Sequence, residues 1–437
     1  MEGSVNCGRR ASGWVGGGYL VGTAMASITP PPGTELVGQF QPRFAQGVHD
    51  DLYLRALVIS DGARALALVS CDLATVSGVD VAAARVRIAT TSGIPAGNCH
   101  VFATHCHTGP GGVSQFPERL ARLVAQAMST LRPVTIVGTC ATVDATFNRR
   151  FLLRDGQAVT HPKPGREDVV GSEGPADPEL GVLAALGADG RWVGAVLNWA
   201  CHPITVGHES LVSADFPGAA EAFLRAAGQP GVVCLFANGA AGNLCPFDWD
   251  NPERTPYGFA YMHRLGRALG TAALQAVERE VASGRAAEGE RRAPRVNSRT
   301  RRVALPLRSL NDIARTTPPP GSEAEGRALM AEREVLRARL QASPTEELEL
   351  SAAALGEARL VFQPAELFCE FGRQIKSGVA GLPTMVVGYA GDCVGYIPTE
   401  EAFAHGGYET HYWRMSRFAP ETGQLIVQAA VALAAGL

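Results

Sequence analysis

The chain has 437 residues, a formal net charge of −3, and 46% apolar against 19% charged residues, the balance of a soluble globular enzyme with a substantial core. No block of Lys and Arg stands out, which excludes the electrostatic footprint of a nucleic-acid-binding protein. No stretch approaches the roughly 20 uninterrupted apolar residues that a membrane span needs.

Near the N-terminus, Arg9 and Arg10 precede a mildly apolar stretch ending in Ala24-Met25-Ala26, superficially like a signal peptide with its cleavage site. Gly16, Gly17, Gly18 and Gly22 dilute it, and Leu20 to Ala24 reads better as the first strand of the domain. Residues 1–19 are therefore expected to be a flexible N-terminus and 20–437 the domain. Apolar runs at Ala56 to Ile59, Ala65 to Val69 and His100 to Ala103 predict strands, and Val79 to Ala89 and Pro117 to Leu131 predict helices. Such alternation implies an α/β architecture, with mixed sheets and flanking helices.

From Pro162 to Pro178 the pattern dissolves into Gly, Pro, Asp and Glu, a surface loop. Strands resume at Gly181 to Leu183 and Val193 to Leu197. The Arg- and Glu-rich segment from Ala282 to Arg302 is expected to cross the surface. Residues 310–356 read as a helical insertion, with a charged helix from Glu323 to Leu340 forming half of a hairpin and Pro344 near its turn. From Arg359 onward strand-like runs return, so the C-terminal part rejoins a single large catalytic domain. The ten cysteines are scattered without any Cys-x-x-Cys pair, several inside apolar runs, which reads as reduced thiols in a cytoplasmic protein.

Three stretches can carry chemistry. In Ala103-Thr104-His105-Cys106-His107-Thr108-Gly109-Pro110, His105 and His107 lie near a strand end, and positions i and i+2 of a strand face one way. One imidazole could bind a metal while the other orients a ligand; the plain alternative is a pair capping a buried strand. In Val196-Leu197-Asn198-Trp199-Ala200-Cys201-His202-Pro203 a second strand delivers a histidine, with His208 following. Two rigid strand ends each supplying a His suit a metal site. In Leu235 to Pro246, a strand runs into a Gly/Ala/Asn turn that permits close backbone approach.

Taken together, these stretches resemble the amidase domain of the neutral (alkaline, non-lysosomal) ceramidase family. Thr104 to Pro110 is similar to its Thr-His-Thr-His-Ser-Gly-Pro motif, and Asn198 to Pro203 to its Asn-Tyr-Ala-Cys-His-Pro motif. Gly22 to Pro31, Ser213 to Gly218, Pro364-Ala365-Glu366 and Gly395 to Thr399 match in the same order. The resemblance implies Zn2+ held by His105, His202, Glu366 and Tyr396, with Tyr389 as the competing tyrosine. It also implies His107 and Arg149 beside the reacting carbonyl. The activity it implies is hydrolysis of an amide (N-acyl) bond by a metal-activated water.

Departures from the pattern matter as well. Asn243, Cys245 and Phe247 replace an acid, a serine and a polar residue, and the resemblance ends at Leu437 as a short form without the C-terminal β-sandwich domain. The expected substrate is therefore a small-molecule N-acyl or ester compound, smaller than ceramide. Cys245 is expected to line the pocket. The alternatives are an ester or lactone hydrolase on the same zinc, a hydrolase using Cys245 as nucleophile, and a degenerate member that only binds a ligand.

Overall fold

A computed structural model describes residues 14–39, 41–283, 294–311, 323–356, 358–379, 383–412 and 416–437. The apolar runs of the first half become eight strands: Trp14–Ser27 (β1), Tyr53–Ser60 (β2), Ala65–Cys71 (β3), Cys99–Ala103 (β4), Arg132–Thr142 (β5), Glu179–Leu186 (β6), Trp192–Trp199 (β7) and Val233–Asn238 (β8). They form one mixed sheet in the order β8-β7-β6-β5-β1-β2-β3-β4. The pairs β7/β8 and β3/β4 are parallel, and the remaining neighbours are antiparallel.

The strands are apolar on both faces because both faces are covered. In β2, Leu54, Ala56 and Val58 join one core cluster while Leu57 and Ile59 join another, the period of two that a strand imposes. On the first face, helices Gly78–Ser92 (α1) and Phe116–Ser129 (α2) bury Val81, Ile88, Leu120 and Val124. Helices Asp215–Ala226 (α3) and Phe259–Ala282 (α4) cover Val182 and Leu197 further along. The opposite face packs on a second sheet of Val296–Pro306 (β9), Thr345–Leu355 (β10), Ala358–Phe362 (β11) and Thr384–Val387 (β12). Helices Cys369–Gly378 and Thr422–Ala435 close the outer side of that sheet. The result is helix, sheet, sheet, helix. Among the described residues no helix is long and apolar enough to cross a membrane.

The large sheet curls so strongly that its ends approach: Ser70 Oγ of β3 donates to the Phe236 carbonyl of β8 at 3.0 Å. That curl places the loops after β4 and β7 side by side. It is the feature that assembles the site.

Five expectations are corrected. β1 begins at Trp14, so residues 14–19 belong to the sheet rather than to a flexible N-terminus; residues 1–13 lie outside the described residues. Among the described residues, the predicted hairpin at 310–356 holds the helix Glu323–Ala342, but after Pro344 comes not a second helix but β10, which pairs with β9 over all 11 of its residues. Glu and Ala are poor strand formers, but Leu348, Leu350, Ala352 and Leu355 are buried by the pairing, and that burial overrides propensity. The Arg-rich segment expected to cross the surface enters the same sheet as β9, with Arg299, Arg301 and Arg302 exposed. Within the loop at 162–178, Val169–Ser172 is a strand of a small sheet with Arg150–Leu153 and Ala158–Thr160. Cys140 is disulfide-bonded, so the reading of uniformly reduced cysteines loses that support.

Candidate metal centre

His105 and His202 both lie beyond their strands, in the loops after β4 and β7. The expected same-face geometry of a His-x-His on a strand is therefore not what brings His105 and His107 together. Instead His105 adopts a left-handed backbone with φ +69°, which turns the chain so that both rings converge. Asp215 (φ +55°) and Tyr389 (φ +53°), both near these loops, share this sparsely populated conformation.

Each histidine is held by a backbone carbonyl. His105 Nδ1–H donates to Ala74 at 2.8 Å and His202 Nδ1–H to Ala241 at 2.8 Å. This fixes the tautomer and leaves both Nε2 atoms with a free lone pair, that of His105 facing the His107 ring. Burial pulls both imidazoles well below their ordinary pKa, so they are neutral Lewis bases. Glu366 Oε2 lies 3.5 Å from His105 Nε2 and 3.3 Å from His202 Nε2. Among the described residues, neither His202 Nε2 nor Glu366 Oε2 has a hydrogen-bond partner, although both are fully buried.

Such orphaned atoms are costly unless something charged sits among them. A tetrahedral site with bonds of about 2.0–2.1 Å has edges near 3.3 Å, which is the spacing observed. His107 Nε2 lies 3.1 Å from His105 Nε2, and two ring nitrogens that close need a proton or a cation between them. The residues fit a divalent metal.

The carboxylate is delivered by the C-terminal half. The short strand Glu366–Leu367 runs parallel to Tyr396–Ile397, with Glu366 directly opposite Tyr396. Arg149 Nη2 donates to the Tyr396 hydroxyl at 3.0 Å. Tyr389 does something different: its ring stacks on His105 at 4.1 Å between centroids, and its buried hydroxyl has no hydrogen-bond partner among the described residues. Of the two tyrosines, Tyr396 is the one that lines the cavity with Arg149, His107 and His202.

Sequence reasoning missed several supporting residues. Asn238, at the end of β8, donates to the carbonyls of Thr104 at 3.2 Å and Cys201 at 3.0 Å, clamping both histidine loops. A buried Asn closing an apolar strand was the available signal. Gly38, at φ +98°, lies against the His107 ring, where a Cβ would come within 2.7 Å. Asp215 ties the loop after His202 through Thr205 and the Val206 amide. Glu409 and Tyr408 also reach the site, from a segment with no motif at all.

Cys245 does not line the pocket. It is fully buried, its sulfur faces the Phe247 carbonyl, and burial pushes the thiol up to about 11. A nucleophilic cysteine needs the opposite shift. Alkylation of the folded protein is expected to leave Cys245 unmodified and Cys245→Ser to keep turnover; inactivation that tracks Cys245 labelling would restore the thiol mechanism. Asn243 is also structural, donating to Glu370 and accepting from the Cys369 amide, so an acid there would face another acid.

The cavity above these groups measures about 680 Å³. Phe247, Trp249, Tyr257, His161 and Tyr408 form much of its wall.

No family model matches the chain. Neutral ceramidase of Pseudomonas aeruginosa is 28% identical over 226 residues, which make up 46% of this chain and 32% of that protein. The matched stretch thus spans about a third of the curated relative. The crystal structure of the Pseudomonas aeruginosa neutral ceramidase superposes with a TM-score of 0.72 at 21% identity, over 96% of this chain and 74% of that one. The chain has the neutral ceramidase fold. A structure of a ceramidase complexed with C2 gives the same TM-score of 0.72 at 20% identity, covering 96% and 75% of the two chains. The neutral ceramidase likeness extends over both sheets and both histidine loops, since it takes in nearly the whole chain.

Proposed function

We propose that this chain is a zinc-dependent hydrolase of N-acyl amides. One observation carries the reading: His202 Nε2 and Glu366 Oε2, both buried and without a hydrogen-bond partner among the described residues, converge at tetrahedral spacing with His105 Nε2, whose one neighbour besides them is the His107 ring nitrogen. Two imidazoles and one carboxylate form a donor set typical of catalytic zinc, which leaves a position open. Zinc bound there supplies Lewis-acid chemistry and an activated water near neutral pH.

The surrounding side chains have definable tasks. Arg149 and Tyr396 are donors positioned to stabilise a carbonyl oxygen as negative charge grows on it. His107, half-buried beside His105, is pulled down to about 4 by burial, so near neutral pH it acts as a neutral imidazole that hydrogen-bonds at the reacting centre rather than as a standing proton donor. Tyr396 is a fourth candidate ligand through its position opposite Glu366. The sequence match to neutral ceramidase supports an amide rather than another acyl bond.

Phe247 stands in the cavity wall where the resemblance expects a polar residue, and the loss of that hydrogen-bond partner supports an acyl amine other than ceramide, smaller in its polar part. The test is hydrolysis by zinc-loaded protein of short- and medium-chain N-acyl amines, the matching esters, and detergent-solubilised ceramide. The short amides should be cleaved with the highest kcat/KM. Ceramide cleaved about tenfold faster, a barrier difference near 1.4 kcal/mol, would overturn the substrate assignment; no amide cleaved at all would overturn the function.

A further inference from the structure

Arg149 and Arg150 are adjacent, buried and charged, yet they are used differently. Arg150 is fully committed to structure: Nε and Nη2 contact Glu173, Nη1 donates to Glu409 at 2.6 Å, and Nη2 also reaches the Gly406 carbonyl at 2.6 Å. Arg149 commits only part of its fork. Its Nε donates to Glu409 Oε1 at 2.9 Å and its Nη2 to Tyr396 at 3.0 Å, which leaves Nη1 without a partner among the described residues, in a side chain that lines the cavity.

Glu409 is the hub of this arrangement. It is completely buried in the short turn Tyr408–Thr410, and each of its oxygens is engaged. Oε1 takes Arg149, while Oε2 takes Arg150 and the Thr160 hydroxyl at 2.8 Å. The guanidinium is a planar, rigid fork, so fixing Nε fixes the directions of both Nη atoms. A single carboxylate therefore sets where the rest of Arg149 points.

We infer that Glu409 is a positioning residue that acts through Arg149, holding the guanidinium so that Nη2 meets Tyr396 and Nη1 stays available to the substrate carbonyl oxygen. This rests on the amide-hydrolase reading above. Removing such a supporting partner typically lowers activity about 10- to 100-fold.

The experiment is a mutant cycle on the full chain with Glu409→Gln and Arg149→Met, reading metal content, kcat and KM. Glu409→Gln should lower kcat within that range with zinc content unchanged. In the Arg149→Met background the same change should alter kcat less than about twofold, because coupled residues are non-additive. Additive losses, or loss of zinc in Glu409→Gln, would overturn the proposal. Should Glu409→Gln fail to fold, Glu409→Asp keeps the charge and completes the same cycle.

A second readout does not depend on turnover. The Arg149 Nε–H resonance, assigned by its absence in Arg149→Met, should be protected from solvent exchange in the wild type and lose protection in Glu409→Gln. Persistent protection in the variant overturns the positioning role even if the enzyme proves to cleave something else. Absence of amide cleavage with protection lost as expected would instead overturn only the function.

Discussion

His202→Ala should purify without stoichiometric metal and lose activity by about three orders of magnitude. The magnitude follows from the several kcal/mol of charge stabilisation that a catalytic metal supplies, at about 1.4 kcal/mol per decade of rate. His202 is the most demanding position to lose, because its Nε2 is buried, bare and 3.3 Å from the equally bare Glu366 Oε2. His105→Ala should behave alike. Glu366→Gln tests the charge separately, since it keeps the shape and removes the anion.

Chelation of the wild-type protein should reproduce the loss, and zinc should restore it. Zinc should also raise the melting temperature, because binding to the folded state alone stabilises it by mass action. Wild-type protein holding under about half an equivalent of metal, even with zinc supplied, would sink the metal centre. Zinc bound normally by His202→Ala would move it elsewhere.

Gly242→Ala should cost metal affinity and stability together, although residue 242 carries no ligand. A Cβ there would lie 2.3 Å from the Glu366 carbonyl oxygen, 2.9 Å from its carbon and 3.1 Å from the Leu367 oxygen. All three are backbone atoms, so no side-chain rotation can relieve the clash. Either the turn withdraws, breaking the Gly242 N–H to Leu367 bond of 2.9 Å, or the strand Glu366–Leu367 shifts against Tyr396–Ile397. The second response carries Glu366 Oε2 away from the histidines.

Overpacking of this kind typically costs about 1–3 kcal/mol, and displaced ligands weaken metal binding further. Calorimetric melting and zinc titration of Gly242→Ala would be compared with Gly112→Ala, where a Cβ meets nothing within 4 Å. Gly112→Ala should match the wild type. A Gly242→Ala protein with wild-type zinc affinity would show that the turn does not set the carboxylate.

The identity of the converging groups was legible in the sequence, through two strands that each lead into a histidine and through the ordered resemblance that also marked Glu366, Tyr396 and Arg149. The α/β class was legible too, because runs buried on both faces need cover on both sides. The sequence could not decide how distant strands meet. β4 and β7 stand far apart in sheet order, and only the curl recorded by Ser70 and Phe236 brings His105 to His202. The reach of Asn238 across both loops depends on the same closure.

Local propensity also misled at Thr345–Leu355, whose Glu, Leu and Ala favour a helix in isolation but which pairs with β9 along its whole length. Likewise, Cys245 reads as a pocket thiol by its neighbours in sequence, and burial alone makes it inert. The residue types fixed which chemistry was available. Long-range packing decided which atoms face one another, because the separations that matter, near 3.3 Å, are set by strands, loops and carbonyls that are remote in the chain.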